Sequence, residues 1–110
     1  MTTDTLGEVL SRLYAVIESR RGDDPKSSYT ASLLTAGGER CAKKFGEEAV
    51  ETVIAGAAGD KSALREEAAD ALFHLLVLLA SRGVTPDEVA SVLASREGVS
   101  GHAEKASREK

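Results

Sequence analysis

Apolar residues recur at steps of three and four along most of the chain. Nowhere do they alternate with polar ones for long enough to make a half-buried strand. The spacing predicts helices. Leu6, Val9, Leu10, Leu13, Val16 and Ile17 form one face of a first helix from Leu6 to about Arg20. Thr5 and Glu8 fit a capping box at its start, and Arg20 and Arg21 suit the negative end of its dipole. Gly22-Asp23-Asp24-Pro25 reads as a loop. A short helix is expected from about Tyr29 to Ala36, ending at Gly37-Gly38. A third runs from about Glu39 to Ala58 and a fourth from about Lys61 to Arg82. Gly59 stops the third, Asp60 caps the fourth, and Gly83 closes it. Thr85-Pro86-Asp87-Glu88 supplies a cap, a proline at the first helical position and a glutamate at the third. It starts a fifth helix reaching about Arg96. Residues 97–110 are polar, contain two glycines, and read as loop or loosely held helix.

The expected fold class is therefore all-α: one domain over residues 1–110, a small antiparallel bundle of four to five helices. Its most apolar stretch, Ala71 to Ala80, is broken only by His74 and is apolar nearly all round. Such a helix belongs in the middle of a bundle or at a subunit interface. The stretch is about half the roughly 20 residues of a membrane span, and Met1 to Asp4 carry no leader pattern. A chain of 110 residues buries a modest core, so completion by homo-oligomerisation, as a homodimer or larger, is expected. The balance of 14 basic and 18 acidic residues, net −4, lacks the basic face that a nucleic-acid binder needs. The single cysteine, Cys41, excludes an internal disulfide and a zinc site built on several cysteines, and suits a reducing compartment. The expectation is a soluble cytoplasmic protein with neither nucleic acid nor membrane as partner.

The candidate chemistry is acidic. Glu47, Glu48 and Glu51 fall within roughly a 100° arc of the third helix. Ala42, Ala49, Val50, Val53 and Ala57 form another arc, so the carboxylates are expected to border the buried face. Glu67 and Asp70, three residues apart, project together from the first turns of the fourth helix. The short connection at Gly59 makes the two helices antiparallel neighbours. Glu51 lies about eight residues before it and Glu67 about eight after, so the two acidic groups can face each other at similar heights. Five converging carboxylates repel one another unless some are protonated or a cation neutralises them. Oxygen-only ligands favour a hard divalent ion, Mg²⁺ or Mn²⁺. The plainer alternative is a solvated acidic face.

At these residues the chain resembles a known family. Lys43-Lys44-Phe45-Gly46-Glu47-Glu48-Ala49-Val50-Glu51, followed by Glu67-Ala68-Ala69-Asp70-Ala71-Leu72-Phe73-His74-Leu75-Leu76-Val77-Leu78-Leu79, is similar to phosphoribosyl-ATP pyrophosphatases of histidine biosynthesis. These belong to the all-α MazG-type nucleotide pyrophosphohydrolases, whose pattern is E-E-x-x-E, a spacer, then E-x-x-D. The segment from Ser28 to Leu34, and Ser100-Gly101 with Glu104 to Arg108, extend the resemblance over nearly the whole chain. It implies Mg²⁺-dependent hydrolysis of the α–β phosphoanhydride of phosphoribosyl-ATP to phosphoribosyl-AMP and pyrophosphate. It also implies a homodimer or larger; such domains are in many organisms fused to a cyclohydrolase, and since nothing in these 110 residues could hold that second domain, the stand-alone form is expected. Cys41 departs from the larger aliphatic residue expected there, a matter of packing.

Chemistry assigns the roles. Carboxylates alone would repel a triphosphate, whereas carboxylates holding Mg²⁺ attract it. Glu48, Glu51, Glu67 and Asp70 are the candidate metal ligands (Mn²⁺ is a possible substitute). Glu47 is a further ligand or the residue that orients the attacking water. Lys43 and Lys44, one turn before Glu47, are candidate phosphate contacts, with solvated lysine as the plainer outcome. Lys105 and Arg108 are candidates to close over the substrate, the guanidinium offering a fork suited to phosphate. Tyr29 can stack on a base or pack. His74 reads as a core residue rather than a ligand. His102 has no readable role, and no base partner suggests Cys41 as a nucleophile. Two other functions fit the pattern: a house-cleaning nucleoside triphosphate pyrophosphatase of the same fold, and a helical dimerisation module without catalysis.

Overall fold

The computed structural model describes residues 4–98. Among them are five helices and no strand: α1 (Leu6–Ser19), α2 (Tyr29–Ala36), α3 (Gly38–Ala58), α4 (Lys61–Ser81) and α5 (Pro86–Ser95). The order and type of the elements are those expected, with ends shifted by a residue. Side chains start most of the helices. Thr5, Ser28, Asp60 and Thr85 each accept a hydrogen bond from a first-turn N–H. The box at α5 is complete. At α1 it is half formed: Thr5 accepts from Glu8 N–H, while the Glu8 carboxylate takes the Thr5 hydroxyl. Gly59 ends α3 at φ 75°, a left-handed conformation that glycine adopts without strain, and the chain reverses there into α4.

α3 and α4, each of 21 residues, form the most extensive helix pair, an antiparallel hairpin roughly 30 Å long. α1 and α2 lie against it, and α5 returns to α1. The core joins Ile17, Leu33, Cys41, Leu76, Val77 and Ala80, with Leu10, Leu13, Tyr14 and Phe73 half-buried around it. The polar ties are specific. The Tyr14 hydroxyl donates to the Val84 carbonyl at 2.9 Å, and Arg21 donates to Ala80 O at 2.8 Å while pairing with Glu18. Arg21 thus serves the end of α4 as well as the end of α1, the only end expected from sequence.

The inward faces differ from the expected arcs. On α1, Ile17 is buried, whereas Leu6, Val9 and Val16 are exposed. On α3, Cys41 and Ala55 are buried and Lys44, Phe45, Glu48 and Thr52 half-buried, while Val50, Val53 and Ile54 are exposed. The carboxylate of Glu48 therefore stands on the inward face itself, and the apolar arc points away from α4. α4 is half-covered along much of its length. Leu72, Leu75 and Leu79 line an apolar groove of about 340 Å³ with Leu10, Val89 and Leu93. No single helix among the described residues is long and apolar enough to cross a membrane.

Candidate metal centre

The hairpin brings together residues about 20 positions apart in sequence. Asp60 caps α4 through Ala63 N–H, and Glu67 and Asp70, three residues apart, project together from the first turns of that helix. Glu48 meets them from the inward face of α3. One carboxylate oxygen from each of Glu48, Glu67 and Asp70 lies within 4.8 Å of the others. Glu48 and Glu67 are half-buried and Asp70 is exposed, so the cluster opens to solvent on one side.

The electrostatics are those of crowded like charge, which Lys44 offsets only at Glu48 of the three. Burial, and then the charges of Asp70, Glu51, Glu48 and Glu66, hold the Glu67 carboxyl above its ordinary value of 4.5. Glu51 is exposed and outside the set of three, yet near enough for its charge to act on Glu67. Glu47 is exposed. Its carboxylate lies 3.4 Å from Lys44 Nζ, which also stands 3.7 Å from Glu48. The Tyr29 phenol and then the Glu47 carboxylate keep the Lys44 amine above the usual lysine range. Lys43 is exposed. His74 is buried, edge-on to Phe73 at 5.1 Å and to Tyr29 at 5.9 Å. Burial pushes its pKa down against the pull of Glu48, so the imidazole is neutral at neutral pH. It belongs to the core beside the cluster, as expected. Lys105, Arg108 and His102 lie outside the described residues.

Three carboxylates at this separation, one face open, fit a hard divalent cation that keeps several waters. The raised pKa of Glu67 gives the signature. A carboxyl whose pKa is higher in the fold than in the unfolded chain stabilises the fold fully below the unfolded value. That contribution is lost as pH rises through the folded value. The metal-free chain is thus expected to lose stability as pH rises from 4.5 through the raised pKa of Glu67. A cation competes with that proton, so its stabilising effect should grow over the same window. Thermal melts with and without Mg²⁺ between about pH 4 and pH 7 check this. A metal-induced shift of the midpoint that is independent of pH contradicts it.

Sequence reasoning missed Thr52. Its Oγ1 lies 3.0 Å from the Glu48 carbonyl and 3.0 Å from the Glu67 carbonyl. The available signal was a threonine, a weak helix former, in the interior of a long helix.

Residues 10–97 match the family model described as phosphoribosyl-ATP pyrophosphohydrolase. Similar proteins named phosphoribosyl-ATP pyrophosphatase include one from Cereibacter sphaeroides, 60% identical over 100 residues, covering 91% of this chain and 97% of the relative. Another, from Dinoroseobacter shibae, is 58% identical over 91% of this chain and 98% of its own length. A third, from Ruegeria pomeroyi, is 54% identical over 93% and 97% respectively.

Proposed function

The chain belongs to the phosphoribosyl-ATP pyrophosphohydrolase family, and from that premise we propose that it hydrolyses phosphoribosyl-ATP to phosphoribosyl-AMP and pyrophosphate in the histidine pathway. The reaction is the attack of one water on the α–β phosphoanhydride. The observation that supports it best is the meeting of Glu48, Glu67 and Asp70 within 4.8 Å on the α3–α4 seam.

Mg²⁺, or Mn²⁺ in its place, is the cofactor of this reading: when bound it offsets the charge of the polyphosphate and acidifies a bound water. Glu48, Glu67 and Asp70 hold it, with Glu51 alongside. Glu47, exposed and next to Glu48 in the chain, orients the attacking water and accepts its proton. Lys44, already held between Glu47 and Glu48, meets a phosphate oxygen as a compact positive charge. Lys43, and Lys105 and Arg108 of the tail, are further phosphate contacts in this proposal. The cytoplasm, where the substrate would be made, is the compartment.

The test is direct. The purified chain, given phosphoribosyl-ATP and Mg²⁺, is expected to release pyrophosphate, and EDTA to stop it. No release, or release indifferent to EDTA, overturns the reading.

A second copy of the chain is part of the proposal. Val50, Val53 and Ile54 on α3, Leu64 on α4, and Val92 and Leu93 on α5 are exposed apolar residues, and few apolar residues are buried among the described ones. Burying such surface contributes roughly 25 cal/mol per Å². Sedimentation at micromolar concentration is expected to give the mass of a dimer or larger. A monomer there would remove the homo-oligomer from the account.

A further inference from the structure

We propose that Thr52 is a positioning residue that locks the two halves of the carboxylate cluster in register; this rests on the cation-site reading above. Thr52 sits one turn beyond Glu48 on the inward face of α3. Its hydroxyl oxygen is 3.0 Å from the carbonyl of Glu48 and 3.0 Å from the carbonyl of Glu67 across the seam. A bond from a helical threonine to the carbonyl four residues back is common and by itself implies nothing about a site. The second acceptor is what matters. It belongs to the opposite helix, and to a residue whose side chain is in the cluster.

The hydroxyl has one proton for these two carbonyls, so it is shared between them or alternates. Either way one group bridges the backbones of the two residues that face each other, Glu48 on α3 and Glu67 on α4. Apolar helix faces permit small axial slips. A slip of one residue moves a side chain about 1.5 Å along its helix. A divalent ion tolerates errors of about 0.2 Å in its ligand distances. α3 and α4 lie against each other along the most extensive helix pair of the fold. The Thr52 hydroxyl fixes their relative height where the carboxylates must agree.

The experiment compares the full chain with Thr52→Val, Thr52→Ala and Thr52→Ser. Mn²⁺ affinity is read by electron paramagnetic resonance and the metal-free thermal midpoint by circular dichroism. Valine keeps the shape and loses the hydroxyl. Alanine loses both and forces no methyl against a carbonyl. Serine keeps the hydroxyl. Valine and alanine are expected to weaken Mn²⁺ binding about tenfold or more per folded molecule, the usual cost of losing a group that orients a ligand. Serine should stay within about twofold of wild type, because it retains the donor. Wild-type Mn²⁺ affinity in both valine and alanine variants overturns the inference. So does a loss that only follows the folded fraction, since that is a purely structural role. Should the wild-type chain bind no Mn²⁺, the cation site itself fails, a result distinct from either.

Discussion

Glu48→Gln is expected to slow pyrophosphate release by about 100-fold or more and to weaken divalent-cation binding, while the metal-free fold stays at least as stable as wild type. The amide has the shape of the carboxylate but brings no charge and a poorer donor oxygen for a hard ion. In the unliganded protein, Glu48 is one of the charges that raise the Glu67 pKa, so removing it relieves repulsion. Lys44 loses a partner at 3.7 Å and keeps Glu47 at 3.4 Å. Asp70→Asn should behave alike, since it belongs to the same set of three. Rate and stability thus move in opposite directions, which is the mark of a site held together against its own charge. Steady-state kinetics with a thermal melt on each variant decide it. A Glu48→Gln enzyme working near the wild-type rate, or one that fails to fold, contradicts the assignment.

Ile17→Ala carries the largest expected effect on stability. Ile17 is 1% exposed and is the buried residue of α1. It packs in the cluster with Leu33, Cys41, Leu76, Val77 and Ala80, where α1, α2, α3 and α4 meet. Truncation removes three carbons and leaves a cavity that four helices cannot readily close. Such changes cost about 2–5 kcal/mol, against about 5–15 kcal/mol for a whole domain. The midpoint should fall by roughly 10 °C or more. Ile17→Val, which removes one methyl, should cost about 0.5–1.5 kcal/mol. Ile17 is not among the residues of the acidic cluster, so activity per folded molecule should persist at low temperature. Denaturant titration measures the cost. A loss under about 1 kcal/mol for Ile17→Ala would show that α1 contributes little to this core.

The legible part of the structure was local. Asp60 before Ala63, Thr85 before Pro86 and Glu88, and glycine at 59 act through backbone groups within a few residues, so their geometry follows from spacing. The antiparallel pairing of α3 with α4 was legible for the same reason. A tight turn at Gly59 fixes two antiparallel helices, and equal distances from the turn give equal heights. The register expected from it set Glu51 opposite Glu67, whereas in the structure Glu48 meets Glu67 and Asp70 and Glu51 lies outside the three.

The face that α3 turns inward was not legible. Hydrophobicity favours the arc with Val50, Val53 and Ala57, and the structure leaves Val50 and Val53 in solvent and sets Glu48 and Thr52 against α4 instead. A hydrophobic arc says that some surface is to be covered, not by what. Exposed valines here are surface for another chain under the proposed homo-oligomer. Thr52 bridging two carbonyls and Arg21 reaching Ala80 O span 15 and 59 residues, and no periodicity encodes such partners.

By itself, then, the sequence determined the helices, their stops and the pairing of α3 with α4, because capping, propensity and a short turn are near-neighbour effects. The tertiary structure decided the rotation of each helix about its axis and the distant polar contacts that hold it there. Rotation depends on how side chains of several helices fill one shared volume, and that is a property of the assembled chain.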